Sequence, residues 1–337
     1  MQMRRMFRTW LEGLVAGDPM STRFRQLPTV LILVLLPCVI SKGQSLTGST
    51  RLDVSHEKPY VQVLVNGQGP FRFIVDTGTG GEAFITSALM SRLGLTPTGE
   101  MHLADPSGKG TRTVPMVRLD SVQVAGVNFS GVKAAVHQLD DAGGSCEGLL
   151  GFALFREYLL TLDFPGQVLR LETGNLTPDD EQTILPFSSP SGIPIIVMRI
   201  GPHESPFMTQ LDSGGIGLSV PEKSRKGLKF FSVPKVYSNA HSVATRFEVK
   251  GATLASDVKF GQFTFRKPFL EINPAFPMAN FGADPMQRFA LTFDQKNGLV
   301  RFLSQRNIIS LSVPPSLSSW KEGVEKKLPD PRLVPLG

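Results

Sequence analysis

The chain has 337 residues, of which 41% are hydrophobic and 19% are charged. This composition excludes a disordered chain, and the length allows one large domain or two smaller ones. Glycine and proline are scattered rather than periodic, which excludes collagen-like and low-complexity classes. The formal net charge is +6, but residues 1–43 carry +4 of it. Because the remaining residues are close to neutral, we expect no nucleic-acid partner.

The N-terminal segment, residues 1–43, has the pattern of an export signal. Basic residues precede a twelve-residue apolar run from Thr29 to Ile40, and the small residues Ser41 and Gly43 follow it. A membrane-spanning helix needs about 20 apolar residues, so the pattern favours a cleaved signal peptide over a signal-anchor. We therefore expect an exported protein, periplasmic or secreted, that is attached to a membrane only if this segment stays uncleaved.

The predicted elements of the first half are β-strands with one short helix. Residues 60–65 and 71–75 alternate in hydropathy on either side of the turn 66–69. This is a hairpin signature, and its second strand ends at Asp76. Residues 86–93 precede a glycine and are predicted to form a short helix.

The second half repeats the landmarks of the first half. Gly151 follows Asp76 by 75 residues, and Gly282 follows Asp212 by 70 residues. Each glycine is followed twelve residues later by an aspartate in a Leu-Thr-x-Asp sequence. A repeat of this length indicates duplicated domains rather than a solenoid.

The repeat predicts a mainly β, bilobal chain with little helix. Its predicted parts are the signal segment 1–43, a first lobe at 44–172, a linker at 173–192, a second lobe at 193–305 and an irregular Pro/Ser-rich tail at 306–337.

Two Asp-(Ser/Thr)-Gly triplets carry the candidate chemistry, Asp76-Thr77-Gly78 and Asp212-Ser213-Gly214. If their loops meet at a pseudo-twofold axis, the carboxylates lie within about 3 Å and share one proton. The ionised aspartate can then act as general base on a water, while the protonated one polarises and later protonates an amide. The glycines allow close approach, and the two hydroxyls can hydrogen-bond across the axis. This chemistry needs no metal and no organic cofactor.

These features resemble the aspartic proteases, and within them the retropepsin-like aspartyl proteases of bacteria. The resemblance covers about Leu52 to Leu303, and its most specific segments are 73–79, 148–151 and 158–164. It implies two acid-protease barrel lobes in one monomeric chain and a peptide or protein substrate. It implies a catalytic pair with supporting residues and a flap hairpin at 101–117. The residues so assigned are Asp76 and Asp212 as catalytic, Thr77, Gly78, Thr79, Ser213 and Gly214 as supporting, and Ser107, Gly108, Lys109 and Gly110 at the flap tip.

The second copy departs from the family pattern. Gly215 replaces the Ser or Thr that often stands fourth in the motif, Asn280 replaces an apolar residue before Phe281, and Gln210 interrupts the apolar approach to Asp212. Three alternatives therefore stay open: a catalytically silent module that binds peptides or proteins, a homodimer built through the Asp76 lobe, and another carboxylate-pair hydrolase. Glycosidases hold their carboxyl groups about 5 to 9.5 Å apart, so the separation distinguishes them.

Other residues of possible chemical use are predicted to have structural roles. Asp163 and Asp294 precede matched turns and are expected to cap them. Cys146 has no histidine nearby in sequence, and we expect a buried thiol. The five histidines show no metal-binding spacing, so we expect no metal site.

Overall fold

The computed structural model describes residues 45–55, 57–104, 110–139, 146–201, 205–241 and 246–311. The predicted signal segment 1–43, the flap-tip residues 107–109 and the tail from 312 onward lie outside the described residues. All described residues belong to one compact unit, Lys42–Gly337. Within these ranges, no helix is both long and apolar enough to cross a membrane.

The chain is mainly β, as predicted, and its two α-helices are six and four residues long. The strands of the first half are β1 (Ser45–Arg51), β2 (Tyr60–Val65), β3 (Gln68–Asp76), β4 (Ala83–Ile85), β5 (Gly99–Ala104), β6 (Thr111–Val124), β7 (Val127–Val136), β8 (Gly148–Gly151), β9 (Leu159–Asp163) and β10 (Val168–Thr173). Those of the second half are β11 (Ile184–Pro186), β12 (Ile195–Ile200), β13 (Ser205–Leu211), β14 (Leu218–Pro221), β15 (Lys235–His241), β16 (Arg246–Thr253), β17 (Val258–Phe260), β18 (Phe263–Phe265), β19 (Phe269–Asn273), β20 (Ala279–Phe281), β21 (Ala290–Asp294), β22 (Leu299–Leu303) and β23 (Ile308–Ile309). The helices are α1 (Ser87–Arg92) and α2 (Ala283–Met286), and 3₁₀ turns lie at Phe152–Phe155 and Glu222–Gly227.

Three sheets hold these strands. The first lobe is the seven-stranded sheet β2-β3-β8-β4-β7-β6-β5, and the second lobe is the ten-stranded sheet β15-β16-β19-β14-β20-β13-β12-β17-β18-β23. A six-stranded sheet, β1-β10-β9-β21-β22-β11, contains strands from both halves and is here called the shared sheet.

The central strand pairings of the two lobes have the same order and directions, which is consistent with two β lobes of one plan. In the first lobe β3 runs parallel to β8, β8 antiparallel to β4, and β4 parallel to β7. In the second lobe β13, β20, β14 and β19 repeat this order and these directions. The single long strand β6 corresponds to β16 and β17, and β7 corresponds to β18 and β19.

The shared sheet joins the two copies at a symmetric contact. Strands β9 and β21 are antiparallel neighbours, with Thr161 opposite Thr292. Both threonines are buried, and their Oγ1 atoms lie 2.9 Å apart. The Gly166 N–H donates to Asp163 Oδ1 at 2.8 Å, and an equivalent bond reaches Asp294 at the end of β21. The predicted turn-capping role of both aspartates is therefore confirmed.

Local sequence patterns account for the elements that lead to the site. In β2 the side chains of Val61, Val63 and Val65 are buried, and the turn to β3 has positive φ at Asn66 and Gly67, as a tight hairpin turn requires. Helix α1 begins after Thr86, whose hydroxyl accepts the Leu89 N–H at 3.1 Å. Both predictions, the hairpin and the short helix, are confirmed.

Two short strands lie in the linker and at the start of the tail, where no strand was predicted. The linker 173–192 contains β11, which pairs with β22 at the edge of the shared sheet. The described start of the tail contains β23, which runs parallel to β18 and buries Ile309. Both strands are two or three residues long and are fixed by partners distant in sequence, which local periodicity does not reveal.

A phenylalanine cluster packs the second lobe. Its members are fully or almost fully buried, and neighbouring ring centroids lie between 5.1 and 6.3 Å apart. The cluster comprises Phe260, Phe263, Phe265, Phe281, Phe289 and Phe302. Since the Phe281 carbonyl accepts the Asp212 N–H at 3.0 Å, this core supports the second aspartate loop directly.

Candidate active site

The first aspartate loop begins where β3 ends. Val75 is fully buried, and Asp76 lies opposite Gly151 of the parallel strand β8. The Gly78 N–H donates to Asp76 Oδ1 at 2.8 Å, and the Thr79 hydroxyl donates to Asp76 Oδ2 at 2.9 Å. Both oxygens of this carboxyl group therefore have a donor from their own loop.

The second aspartate loop follows β13 in the same way. Leu211 lies opposite Phe281 of the parallel strand β20. The Gly215 N–H donates to Asp212 Oδ1 at 2.8 Å, but Gly215 supplies no hydroxyl. The side-chain amide of Asn280, on β20, lies beside Asp212 and lowers its pKa, as a donor to the carboxylate does.

Thr77 and Ser213 lock the two loops together. Both side chains are fully buried. The Thr77 hydroxyl donates to the Leu211 carbonyl at 2.7 Å, and the Ser213 hydroxyl donates to the Val75 carbonyl at 2.7 Å. Each hydroxyl also accepts the backbone N–H of the other residue at 3.0 Å. This reciprocal arrangement fixes the separation of the two loops.

The glycines of the motifs make the approach of the carboxyl groups possible. A methyl group on Gly78 would overlap Asp212 Oδ1, and one on Gly214 would lie 2.6 Å from both Oδ atoms of Asp76. Each aspartate thus lies against the glycine of the opposite loop. The two carboxyl groups therefore face each other across the two loops, close enough for the charge of Asp76 to raise the pKa of Asp212.

Residues 61–154 match the family model described as aspartyl protease. This part of the chain is an aspartyl protease domain. It contains the Asp76 loop, strand β8 behind that loop and the β5–β6 hairpin. A search among curated protein sequences gives no match to the chain. The family match ends before the second lobe, so the case for Asp212 rests on the geometry described above.

Asp212, which lies outside the aspartyl protease domain, has a raised pKa. Burial, followed by repulsion from Asp76, raises the pKa of Asp212 to about 7. The hydrogen bonds from Gly215 and Asn280 act in the opposite direction, because they stabilise the ionised carboxylate. The pair Asp76 and Asp212 therefore retains a shared proton up to near-neutral pH.

A second buried carboxyl group lies next to the Asp212 loop. The carboxylate of Glu271, on β19, occupies the space that a side chain at Gly217 would fill, and the Tyr237 hydroxyl donates to it. Burial raises the pKa of Glu271 to about 7, and Asp284 and Glu57 add repulsion, whereas the bond from Tyr237 lowers it. Glu271 was not predicted as a site residue, because its burial depends on Tyr237 and Gly217, which are distant from it in sequence.

The predicted flap region of the aspartyl protease domain is a hairpin. Strands β5 and β6 pair from Gly99 opposite Met116 to Ala104 opposite Thr111. Gly110 directly precedes β6, whereas Ser107, Gly108 and Lys109 lie outside the described residues. The second lobe contains a topologically matching hairpin, β15 and β16, which was not predicted. That the β5–β6 hairpin covers a substrate stays a prediction.

Cys146 is buried, as expected. Over the part of the chain that the structure describes, no three His, Cys, Asp or Glu residues are grouped so that they could hold a metal ion.

Proposed function

We propose that the chain is an aspartic endopeptidase that hydrolyses peptide bonds with a water activated by Asp76 and Asp212. The observation that carries the proposal is the close approach of the two carboxyl groups, each of which lies against the glycine of the opposite loop. Thr77, Gly78, Thr79, Ser213 and Gly214 hold this geometry. The family match of residues 61–154 supports the same reaction class.

The chemistry follows from the single shared proton. The ionised aspartate accepts a proton from a bound water, whose oxygen attacks the carbonyl carbon of the scissile amide. The protonated aspartate donates a hydrogen bond to the carbonyl oxygen and stabilises the negative charge that develops there. Transfer of a proton to the amide nitrogen then allows the carbon–nitrogen bond to break, and the products are a carboxylic acid and an amine. The donor is the aspartate that began protonated, and the proton from the water stays on the other aspartate, so the pair again holds one shared proton.

The proposed site is complete within one chain. Thr77 of the first loop bonds to Leu211 and Ser213 of the second loop, which favours a two-lobed monomer over a homodimer of the first lobe. The proposed enzyme acts on peptides or proteins after export, as the N-terminal sequence pattern suggests.

A catalytically silent binding module is the second candidate, and one observation favours it. Thr79 donates a hydroxyl hydrogen bond to Asp76, whereas Gly215 offers Asp212 no side chain. If that donor is indispensable, the second loop holds an aspartate that does not support catalysis. The glycosidase alternative is disfavoured because each carboxyl group lies against the glycine of the opposite loop, which leaves the pair close together.

The test is cleavage of an unstructured protein, such as denatured casein, by the purified chain between pH 3 and 7. The proposal predicts cleavage that a statine-type inhibitor blocks, because the statine hydroxyl takes the place of the attacking water. Failure to cleave at any pH, together with failure to bind the inhibitor, would support the silent module. Cleavage that the inhibitor does not affect would point to a contaminating protease of another class.

A further inference from the structure

The second loop contains a polar residue at a position that is apolar in the first loop. Asn280 on β20 is opposite Gln210 of β13, and its counterpart Leu149 on β8 is opposite Ile74 of β3. Asn280 is 6% exposed, and its Oδ1 atom has no hydrogen-bond partner. Burying a polar atom without a partner is unfavourable, so a structural advantage elsewhere must offset it.

The side chain of Asn280 lies where a side chain at residue 215 would be. A Cβ on Gly215 would lie 2.6 Å from Asn280 Nδ2 and 2.7 Å from Asp212 Oδ2. Both atoms end flexible side chains, so a side chain at residue 215 would displace them, and Asn280 keeps this place beside Asp212 only while residue 215 is a glycine. The two departures from the family pattern are therefore one coupled change rather than two independent losses.

The amide of Asn280 lies on the side of Asp212 Oδ2, the oxygen to which Gly215 does not donate. In the first loop the Gly78 N–H donates to Asp76 Oδ1, and the Thr79 hydroxyl donates to Oδ2 at 2.9 Å. In the second loop the Gly215 N–H donates to Asp212 Oδ1, and the Asn280 side chain is the group that lowers the Asp212 pKa from the side of Oδ2. Since a carboxylate requires a donor, the Nδ2 group and not Oδ1 faces Asp212.

We propose that Asn280 is the positioning residue of Asp212 and replaces the hydroxyl group that Gly215 lacks. This inference rests on the proposed function, because it assigns Asn280 a role within that same site. It also removes the main reason for regarding the second loop as silent. The charge of the neighbouring Asp76 acts on Asp212. The effect of a substitution at residue 280 is therefore measured most directly by titrating this pair of carboxyl groups.

The test replaces the arrangement of the second loop, Gly215 with Asn280, by that of the first loop. In Asn280→Leu the donor is lost, and kcat/KM for a peptide should fall about 10- to 100-fold, as expected for a hydrogen bond to a charged group. The upper limb of the pH profile should move to higher pH, because the ionised carboxylate loses a stabilising donor. The double variant Gly215→Thr with Asn280→Leu recreates the first-loop arrangement. It should recover both kcat/KM and the wild-type position of the upper limb of the pH profile.

Two further variants control for structural damage. Asn280→Ala removes the donor without adding bulk and should resemble Asn280→Leu. Asn273→Ala removes an equally buried asparagine of strand β19 in the same sheet, which accepts the backbone N–H groups of residues 275 and 276. It should leave the position of the pH limb unchanged even if it lowers stability.

A readout without turnover separates this inference from the proposed function. The carboxyl carbon-13 shifts of Asp76 and Asp212 are titrated in the wild type, in Asn280→Leu and in the double variant. The inference predicts a higher apparent pKa in the single variant and its return in the double variant, even if the wild type cleaves nothing. An unchanged titration in Asn280→Leu, or a double variant that behaves like the single one, would overturn it.

Discussion

At Gly214 the close contact between the loops depends on the absence of a side chain. A Cβ at this position would lie 2.6 Å from Asp76 Oδ1 and from Asp76 Oδ2. Gly78 and Thr79 also donate hydrogen bonds to the carboxyl group of Asp76, and these bonds restrict its movement. A methyl group at residue 214 should therefore displace the carboxyl group of Asp76 by a large part of an ångström.

We expect Gly214→Ala to lower kcat/KM by about 100-fold, since a misplacement of roughly 1 Å has effects of this size. Peptide cleavage rates and thermal unfolding of the same samples measure the effect. Gly227→Ala is the matched control, because a Cβ there has no atom within 4 Å, and it should retain wild-type activity. An active Gly214→Ala protein with unchanged kcat/KM would contradict the proposed packing of Asp76 against the second loop.

The pKa of Glu271 depends on how neighbouring strands enclose its side chain. Its carboxylate is enclosed between Gly217, which precedes β14, and Tyr237 on β15. The resulting pKa of about 7 lies above the ordinary value of 4.5. Below pH 4.5 the group is protonated in both the folded and the unfolded state. As the pH rises toward 7, the unfolded state loses the proton first, so this group makes folding less favourable.

Glu271→Gln should therefore reduce the decline of stability between about pH 4.5 and 7. The expected change is about 1.4 kcal/mol per pH unit in the slope of the unfolding free energy. Denaturant unfolding at several pH values measures the slope, and part of the decline should remain because the pKa of Asp212 is raised in the same direction. Glu222→Gln, at an exposed glutamate, controls for the loss of one carboxyl group. Equal slopes in the wild type and Glu271→Gln would show that Glu271 is not held in its protonated form.

Elements with strong local signals could be predicted from the sequence, and elements fixed by distant partners could not. The alternating valines of β2 and the cap at Thr86 act over a few residues, so the hairpin and α1 were found. Strands β11 and β23 depend on β22 and β18. Asn280 stood out only as a departure from a pattern. Its contact with Asp212 requires the parallel pairing of β13 and β20, which spacing alone does not specify.

At the scale of the whole molecule, two copies of one sheet are joined through β9 and β21, and each copy contributes one aspartate. The duplication and the two motifs were recognised from the sequence, because both are repeated at matched positions. The hydroxyl groups of Thr77 and Ser213 connect the copies at the site, while Thr161 and Thr292 connect them within the shared sheet. Neither lobe alone holds both aspartates.

The central claim is that Asp76 and Asp212 act as one catalytic unit, and a comparison of three variants tests it most directly. The kcat/KM for one peptide substrate is measured for Asp76→Asn, Asp212→Asn and the double variant. Because residues that act together are strongly non-additive, each single variant should lose at least about 1,000-fold, and the double variant should be no worse than either. An Asp212→Asn enzyme that keeps its activity while Asp76→Asn loses it would contradict the account.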